Sequence, residues 1–160
     1  MNDRAGFIGQ SVERKEDYRF LTGAGQYTDD ITLPHQSVGY FLRSPHAHAR
    51  LRSIDIAAAK SAPGVLGVFT GKDMASVGGL PCGWQINNID GTPMKEPKHA
   101  VLAENKVCYV GDHVALVVAE TVAQAKDAAN LIDVEYDVLP PVTDPLAAIG
   151  GALADMFDGY

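Results

Sequence analysis

His46-Ala47-His48 sets two imidazoles two residues apart. On an extended backbone both rings would project from one face, the geometry from which a metal site could start. A tetrahedral site needs three or four convergent ligands, and His35, His99 and His113 lie in separate segments. Packing of the histidines beside a turn is therefore the expected role, with a small metal-carrying site on His46 and His48 as the weaker one. Asp29-Asp30 and Glu16-Asp17 are adjacent carboxylates that could work as acid and base. Neighbours on an extended chain point to opposite faces, so a turn cap or a salt link to Arg19 or Arg43 is the better expectation. Gly23-x-Gly25 has two glycines of a dinucleotide loop, yet Thr28 stands at the third, with no strand before and no helix after. These glycines are expected to make a tight turn with positive φ.

Cys108 lies in an apolar stretch and reads as a buried, inert thiol, whereas Cys82, between Pro81 and Gly83, reads as more exposed. Trp84 is either an anchor facing a partner or the hydrophobic pin of its own loop. The chain has no Gly-x-Ser-x-Gly, phosphate loop, Cys-x-x-Cys or His-Glu-x-x-His. No residue of 1–160 is assigned a catalytic, cofactor-binding or metal-ligating role.

The totals fit one domain. A chain of 160 residues can bury about 70% of the surface its unfolded form exposes, so neither disulfides nor metal are needed for folding. A net charge of -7, with no run of Lys and Arg, argues against nucleic acid and anionic membrane as partners. The longest clean apolar run, Val114 to Ala119, covers six residues, where a membrane helix needs about twenty. The N-terminus has no apolar stretch of signal-peptide length. A soluble protein of the reducing cytoplasm is expected.

The elements that must position these side chains are short. The arm before residue 35 is charged and glycine-punctuated, with Phe20 and Leu21 in its middle, and is expected to be extended. Val38–Arg43 suits a buried strand closed by Pro45. Leu51–Ile56 alternates imperfectly, with Leu51, Ser53 and Asp55 on one face and Arg52, Ile54 and Ile56 on the other. Asp55 can cap a short helix over Ile56–Ser61, stopped by Pro63-Gly64. Val65–Phe69 is a strand, and Thr70-Gly71-Lys72-Asp73 reads as a capped helix start. Residues 76–98 read as a long irregular loop that is either functional or mobile. Strands follow at Ala100–Leu102, Val107–Val110 and Val114–Ala119, the last central to a sheet. Thr121 and Gln124 form a capping box, and Val122, Ala125, Ala128, Ala129 and Ile132 recur at helical spacing, so this helix should lie on a sheet. Asp133–Val138 alternates as a half-exposed strand ended by Pro140-Pro141, and Thr143 or Asp144 can cap a last helix over Pro145–Ile149. The strand-helix-strand unit from Val114 to Val138 reads as a parallel right-handed crossover.

Three segments carry a family resemblance. The first is Arg19-Phe20-Leu21-Thr22-Gly23-x-Gly25-x-Tyr27-x-Asp29-Asp30-Ile31 with Leu33-Pro34. The second is Phe41-x-Arg43-Ser44-Pro45-His46-Ala47-His48-Ala49-Arg50, continuing through Pro63-Gly64-Val65 and Val68-Phe69-Thr70. The third is Val110-Gly111, Val114-Ala115, Val117-Val118-Ala119, Ile132-x-Val134-Glu135-Tyr136 and Leu139-Pro140. Together they resemble the α/β-hammerhead domain that begins the large subunit of molybdenum hydroxylases, nearer the carbon monoxide dehydrogenase branch than xanthine dehydrogenase proper.

The resemblance implies an α/β (α+β mixed) fold, a mixed sheet with short helices on it. It implies an N-terminal arm over 1–34, a hammerhead domain over 35–150 and a linker or truncated tail over 151–160. It implies that the chain is the structural leading part of an oxidoreductase that hydroxylates an aldehyde, a heteroaromatic or carbon monoxide. The molybdopterin cofactor and the catalytic glutamate would then lie downstream, with iron-sulfur clusters and FAD on partner subunits. The isolated chain would be inactive. The alternative is a stand-alone hammerhead interaction module that uses residues 76–98 and Trp84.

Overall fold

The computed structural model describes Gly9 and residues 11–148. The chain falls into two units, one ending at Gln36 and the other beginning at Ser37.

The first unit is folded locally rather than extended, which corrects the expectation for the arm. Helix α1 spans Asp17–Leu21, and Thr28–Asp30 forms a 3-10 turn. Gly23, at φ +73°, ends α1. Its amide donates to Phe20 O at 3.2 Å, and the amide of Ala24 donates to Arg19 O at 2.9 Å. This is the paired bonding of a Schellman cap, for which a left-handed glycine is the favoured residue. Gly25 serves differently from the tight-turn role expected of it, because it leaves room for a ring. A Cβ there would lie 2.3 Å from Phe20 Cδ1, and Phe20 stacks on Tyr27 with centroids 5.3 Å apart. The acidic pairs act as caps and salt links: Asp30 accepts from the Tyr27 amide at 2.8 Å, Glu16 pairs with Arg19, and Asp17 pairs with Arg14 at 2.9 Å.

The second unit is built from small antiparallel sheets. Its elements are β1 (Val38–Arg43), β2 (Ala49–Asp55), α2 (Ala57–Lys60), β3 (Val65–Thr70), α3 (Gly71–Met74), β4 (Gly79–Leu80) and β5 (His99–Ala100). Then follow β6 (Lys106–Val107), β7 (His113–Ala119), α4 (Val122–Ala129), β8 (Asp133–Val138) and α5 (Pro145–Ala147). The strand orders are β1-β7-β3, β6-β2-β8 and β4-β5. β7 is central, as its apolar run predicts. β1 is an edge strand and only half-buried, so its continuous apolar character overstates its burial.

The expected parallel crossover from β7 to β8 is not formed. Both edges of β7 are occupied by the antiparallel strands β1 and β3, so the chain leaving α4 pairs instead with β2, also antiparallel. Helix α4 does lie on the β1-β7-β3 sheet, burying Ala125, Ala128 and Ala129 beside Val117, Ala119 and Ile132. Three alanines on one face let the helix backbone approach the strands closely. A smaller cluster of Ala49, Ala103, Val107 and Val114 fills the second sheet, and Ile54 and Val134 touch both clusters.

The imperfect alternation of β2 has a physical cause. The pairing with β8 shifts register between Leu51 and Ser53. A bulge at Arg52 therefore lets Leu51 and Ile54, three apart in sequence, both pack inward.

The expected strands over Ala100–Leu102 and Val107–Val110 shrink to β5 and β6. Asp112 stops β6: its carboxylate accepts from the Cys108 amide at 3.1 Å, and its own amide donates to Tyr109 O at 3.2 Å, turning the chain. Helix α2 starts one residue later than expected, with Ile56 rather than Asp55 at its N-cap, though Asp55 still accepts from the Ala57 amide at 2.9 Å. Asp144, not Thr143, caps α5 by accepting from Leu146 at 2.9 Å. The expected end of the last helix at Ile149 and the 151–160 tail lie outside the described residues.

Candidate functional site

The segment between β1 and β2 carries the densest polar chemistry. Ser44 is buried, and its backbone is held on both sides, its amide donating to Asp112 O and its carbonyl accepting from Gly111, each at 2.8 Å. Its hydroxyl accepts from the His46 amide at 3.0 Å and donates to His46 O at 2.9 Å, which closes a tight turn through Pro45. The His46 ring meets Tyr136 edge-on at 4.9 Å. Burial pushes the Tyr136 hydroxyl up from its ordinary range, opposed by a hydrogen bond with Ser44.

His48 is only 4% exposed, and its Nδ1 lies 2.8 Å from Pro140 O. A carbonyl can only accept, so Nδ1 carries the proton and Nε2 is left as an acceptor. Nε2 is buried and meets no donor among the described residues. His48 O also accepts from the Leu139 amide at 2.9 Å. His48 thus fastens the chain leaving β8 by both backbone and side chain. The two histidines are committed to packing and to Pro140, as the turn reading expects. Among the described residues no three His, Cys, Asp or Glu side chains converge as metal ligands would.

A second polar group surrounds the start of β7. Arg43 and His113 are cross-strand partners, and Arg43 donates to Gly111 O at 3.1 Å. His113 stacks on Phe41 with centroids 4.3 Å apart. Burial, and then the charge of Arg43, lower the tendency of His113 to protonate, while Asp112 opposes them. His99 Nε2 lies 3.1 Å from the Tyr109 hydroxyl. Tyr109 is pushed up, first by burial and then by Asp112.

An open cleft of about 360 Å³ runs between β2 and the start of α3. Of its charged groups, Asp73 is committed to Thr70 at 2.7 and 2.8 Å, Arg52 to Asp137 at 2.6 Å and Glu104 to Lys98 at 2.7 Å. Asp73 is held below the usual carboxylate range, chiefly by the Thr70 amide and then by its hydroxyl.

Residues 76–98 are not structureless. β4 and β5 close the base of the segment, and an Asn87–Pro93 bridge forms a hairpin at its tip. Glu96 accepts from the Cys82 amide at 2.9 Å and from Gln85 Nε2 at 2.6 Å. Trp84 is 80% exposed and so does not pin its own loop. Both cysteines are half-buried, which corrects the contrast drawn between them, and Cys108 lies outside any strand. Sequence reasoning missed Glu96 and Asp112, because a lone carboxylate in a loop shows its role only once folding brings the amides to it.

The chain is 40% identical over 143 residues to the carbon monoxide dehydrogenase large chain of Afipia carboxidovorans, covering 89% of this chain and 16% of that protein. It is 40% identical over 150 residues to the nicotine 6-hydroxylase large subunit of Paenarthrobacter nicotinovorans, covering 92% of this chain and 18% of that protein. The crystal structure of quinoline 2-oxidoreductase from Pseudomonas putida 86 superposes with a TM-score of 0.75 at 43% identity, covering 89% of this chain and 18% of that one. The chain thus spans under a fifth of the length of these relatives. A profile described as the aldehyde oxidase and xanthine dehydrogenase a/b hammerhead domain matches residues 22–140. With most of its length matched and its small sheets and short helices arranged as described, the chain belongs to the aldehyde oxidase and xanthine dehydrogenase a/b hammerhead domain family.

Proposed function

We propose that these residues form the leading structural domain of the large subunit of a molybdenum-dependent oxidoreductase that hydroxylates an aldehyde, a heteroaromatic or carbon monoxide. The observation that carries this reading is the hammerhead match over residues 22–140, joined to relatives that are large subunits several times longer. Among the described residues His48 is committed to Pro140 and Asp73 to Thr70, and no three His, Cys, Asp or Glu side chains converge as metal ligands would. Molybdopterin and the catalytic glutamate belong, on this reading, to polypeptide downstream, and iron-sulfur clusters and FAD to partner subunits in the cytoplasm. This domain supplies a packed support.

Residues 1–160 expressed alone should hold no stoichiometric molybdenum and turn over neither aldehydes nor heteroaromatics. Either property in the isolated chain would contradict the reading. A stand-alone interaction module is the second reading, favoured by the exposed Trp84. The natural reading frame after Tyr160 separates the two, since glycine-rich cofactor loops would follow in the enzyme and a stop codon in the module.

A further inference from the structure

The β4-β5 pair at the foot of the 76–98 lobe belongs to neither three-stranded sheet, because among the described residues its two strands pair only with each other. Strand pairing therefore does not fasten the lobe to the body, and side chains at its foot take that part. Lys98 pairs with Glu104 at 2.7 Å, but both side chains meet solvent, and an exposed ion pair contributes little. His99, on β5, reaches further. Its Nε2 lies 3.1 Å from the Tyr109 hydroxyl, and the two rings meet edge-on with centroids 6.0 Å apart.

Tyr109 carries the link inward. Burial first, then the charge of Asp112 and a hydrogen bond to its carboxylate, push the phenol up, so the hydroxyl keeps its proton. A carboxylate only accepts, so that proton goes to Asp112, and the phenol oxygen is left to accept from His99. Nε2 of His99 therefore carries a hydrogen. Asp112 is 9% exposed and firmly held: its carboxylate also accepts from the Cys108 amide at 3.1 Å, and its backbone carbonyl accepts from the Ser44 amide at 2.8 Å, beside the end of β1. The donors thus run in one direction, from His99 through Tyr109 to Asp112. At the other foot of the lobe Gly78, at φ +83° with open space where a side chain would stand, offers a point about which the lobe can turn.

We infer that the His99–Tyr109–Asp112 chain is a latch that holds the foot of the 76–98 lobe against the turn between β6 and β7. The hairpin owes its shape to its own bonds, and the latch sets where the hairpin stands. The inference does not depend on the function proposed above. The test is amide hydrogen exchange of the natural polypeptide that bears this sequence, read over β4 and β5, in the unaltered protein and in the Tyr109→Phe, His99→Phe and double variants. Tyr109→Phe keeps the ring and removes the hydroxyl that both bonds use. Loss of the latch should speed exchange in β4 and β5 about fivefold, the worth of one net hydrogen bond, while the amides of β7 keep their rates. His99→Phe should do the same, and the double variant should add nothing, because each change opens the same latch. Unchanged exchange at β4 and β5 in either single variant overturns the inference. So does an additive effect in the double variant, or faster exchange at β7, which would make Tyr109 a support of the whole fold rather than of the lobe.

Discussion

His48 and Pro140, ninety-two residues apart in sequence, are joined by a 2.8 Å hydrogen bond from the imidazole Nδ1 to the proline carbonyl. The bond fixes the histidine as its Nδ1–H tautomer and fastens the end of β8 to the start of β2. It makes a residue pair that resembles a metal ligand set into a structural clasp.

Substituting His48→Leu leaves Pro140 O without its donor. Loss of this part-buried hydrogen bond with one partner retained costs about 1–3 kcal/mol. Urea unfolding of the variant should show an unfolding free energy lower by that amount, read as a lower midpoint at unchanged slope, and an unchanged midpoint would mean that the bond carries no weight.

Ala128 is fully buried between α4 and the sheet. Ala128→Leu should destabilise by about 1–3 kcal/mol through overpacking, whereas the same change at the exposed Ala58 of α2 should be near neutral. Thermal unfolding of the two variants side by side checks this.

His113 sets a pH dependence near neutrality. Its ordinary value is 6.5 and the folded value is lower, chiefly from burial and then from Arg43. The unfolded chain therefore takes up the proton first, so stability is complete above 6.5 and falls as pH drops from there toward the folded value. His113→Phe, which keeps a ring against Phe41, should flatten the melting temperature across that window. An identical slope in the variant would remove His113 as the source.

Asp73 acts lower on the scale. Its carboxyl is held below its ordinary 3.8 by the Thr70 amide and hydroxyl, so its contribution is present above 3.8 and is lost as pH falls through the folded value. Asp73→Asn should lessen the acid sensitivity of unfolding below that point while leaving the neutral-pH slope as it was.

These effects also show which features sequence carries. The α4 helix was readable because Thr121, Gln124 and the apolar spacing from Val122 to Ile132 all act within the helix itself. The Thr70–Asp73 cap was readable for the same reason. The β7-to-β8 connection was not, because it depends on β1 and β3 having already taken both edges of β7. The facing of β2 was obscured by the bulge at Arg52, a feature of its pairing with β8 rather than of its own residues. At the candidate site the histidine turn was legible, but the Pro140 partner of His48 was not, since the two meet only across the fold. The exposure of Trp84 likewise depends on how Glu96 and the Asn88–Thr92 bonds shape the hairpin.

The proposal that these residues lead a molybdenum-carrying large subunit is tested most directly by the molybdenum content of the natural polypeptide that bears this sequence, purified from its source and measured per mole of chain. The result expected is stoichiometric molybdenum on a polypeptide much larger than the 17.0 kDa of these residues. A purified natural polypeptide without molybdenum, or one of 17.0 kDa, would contradict it.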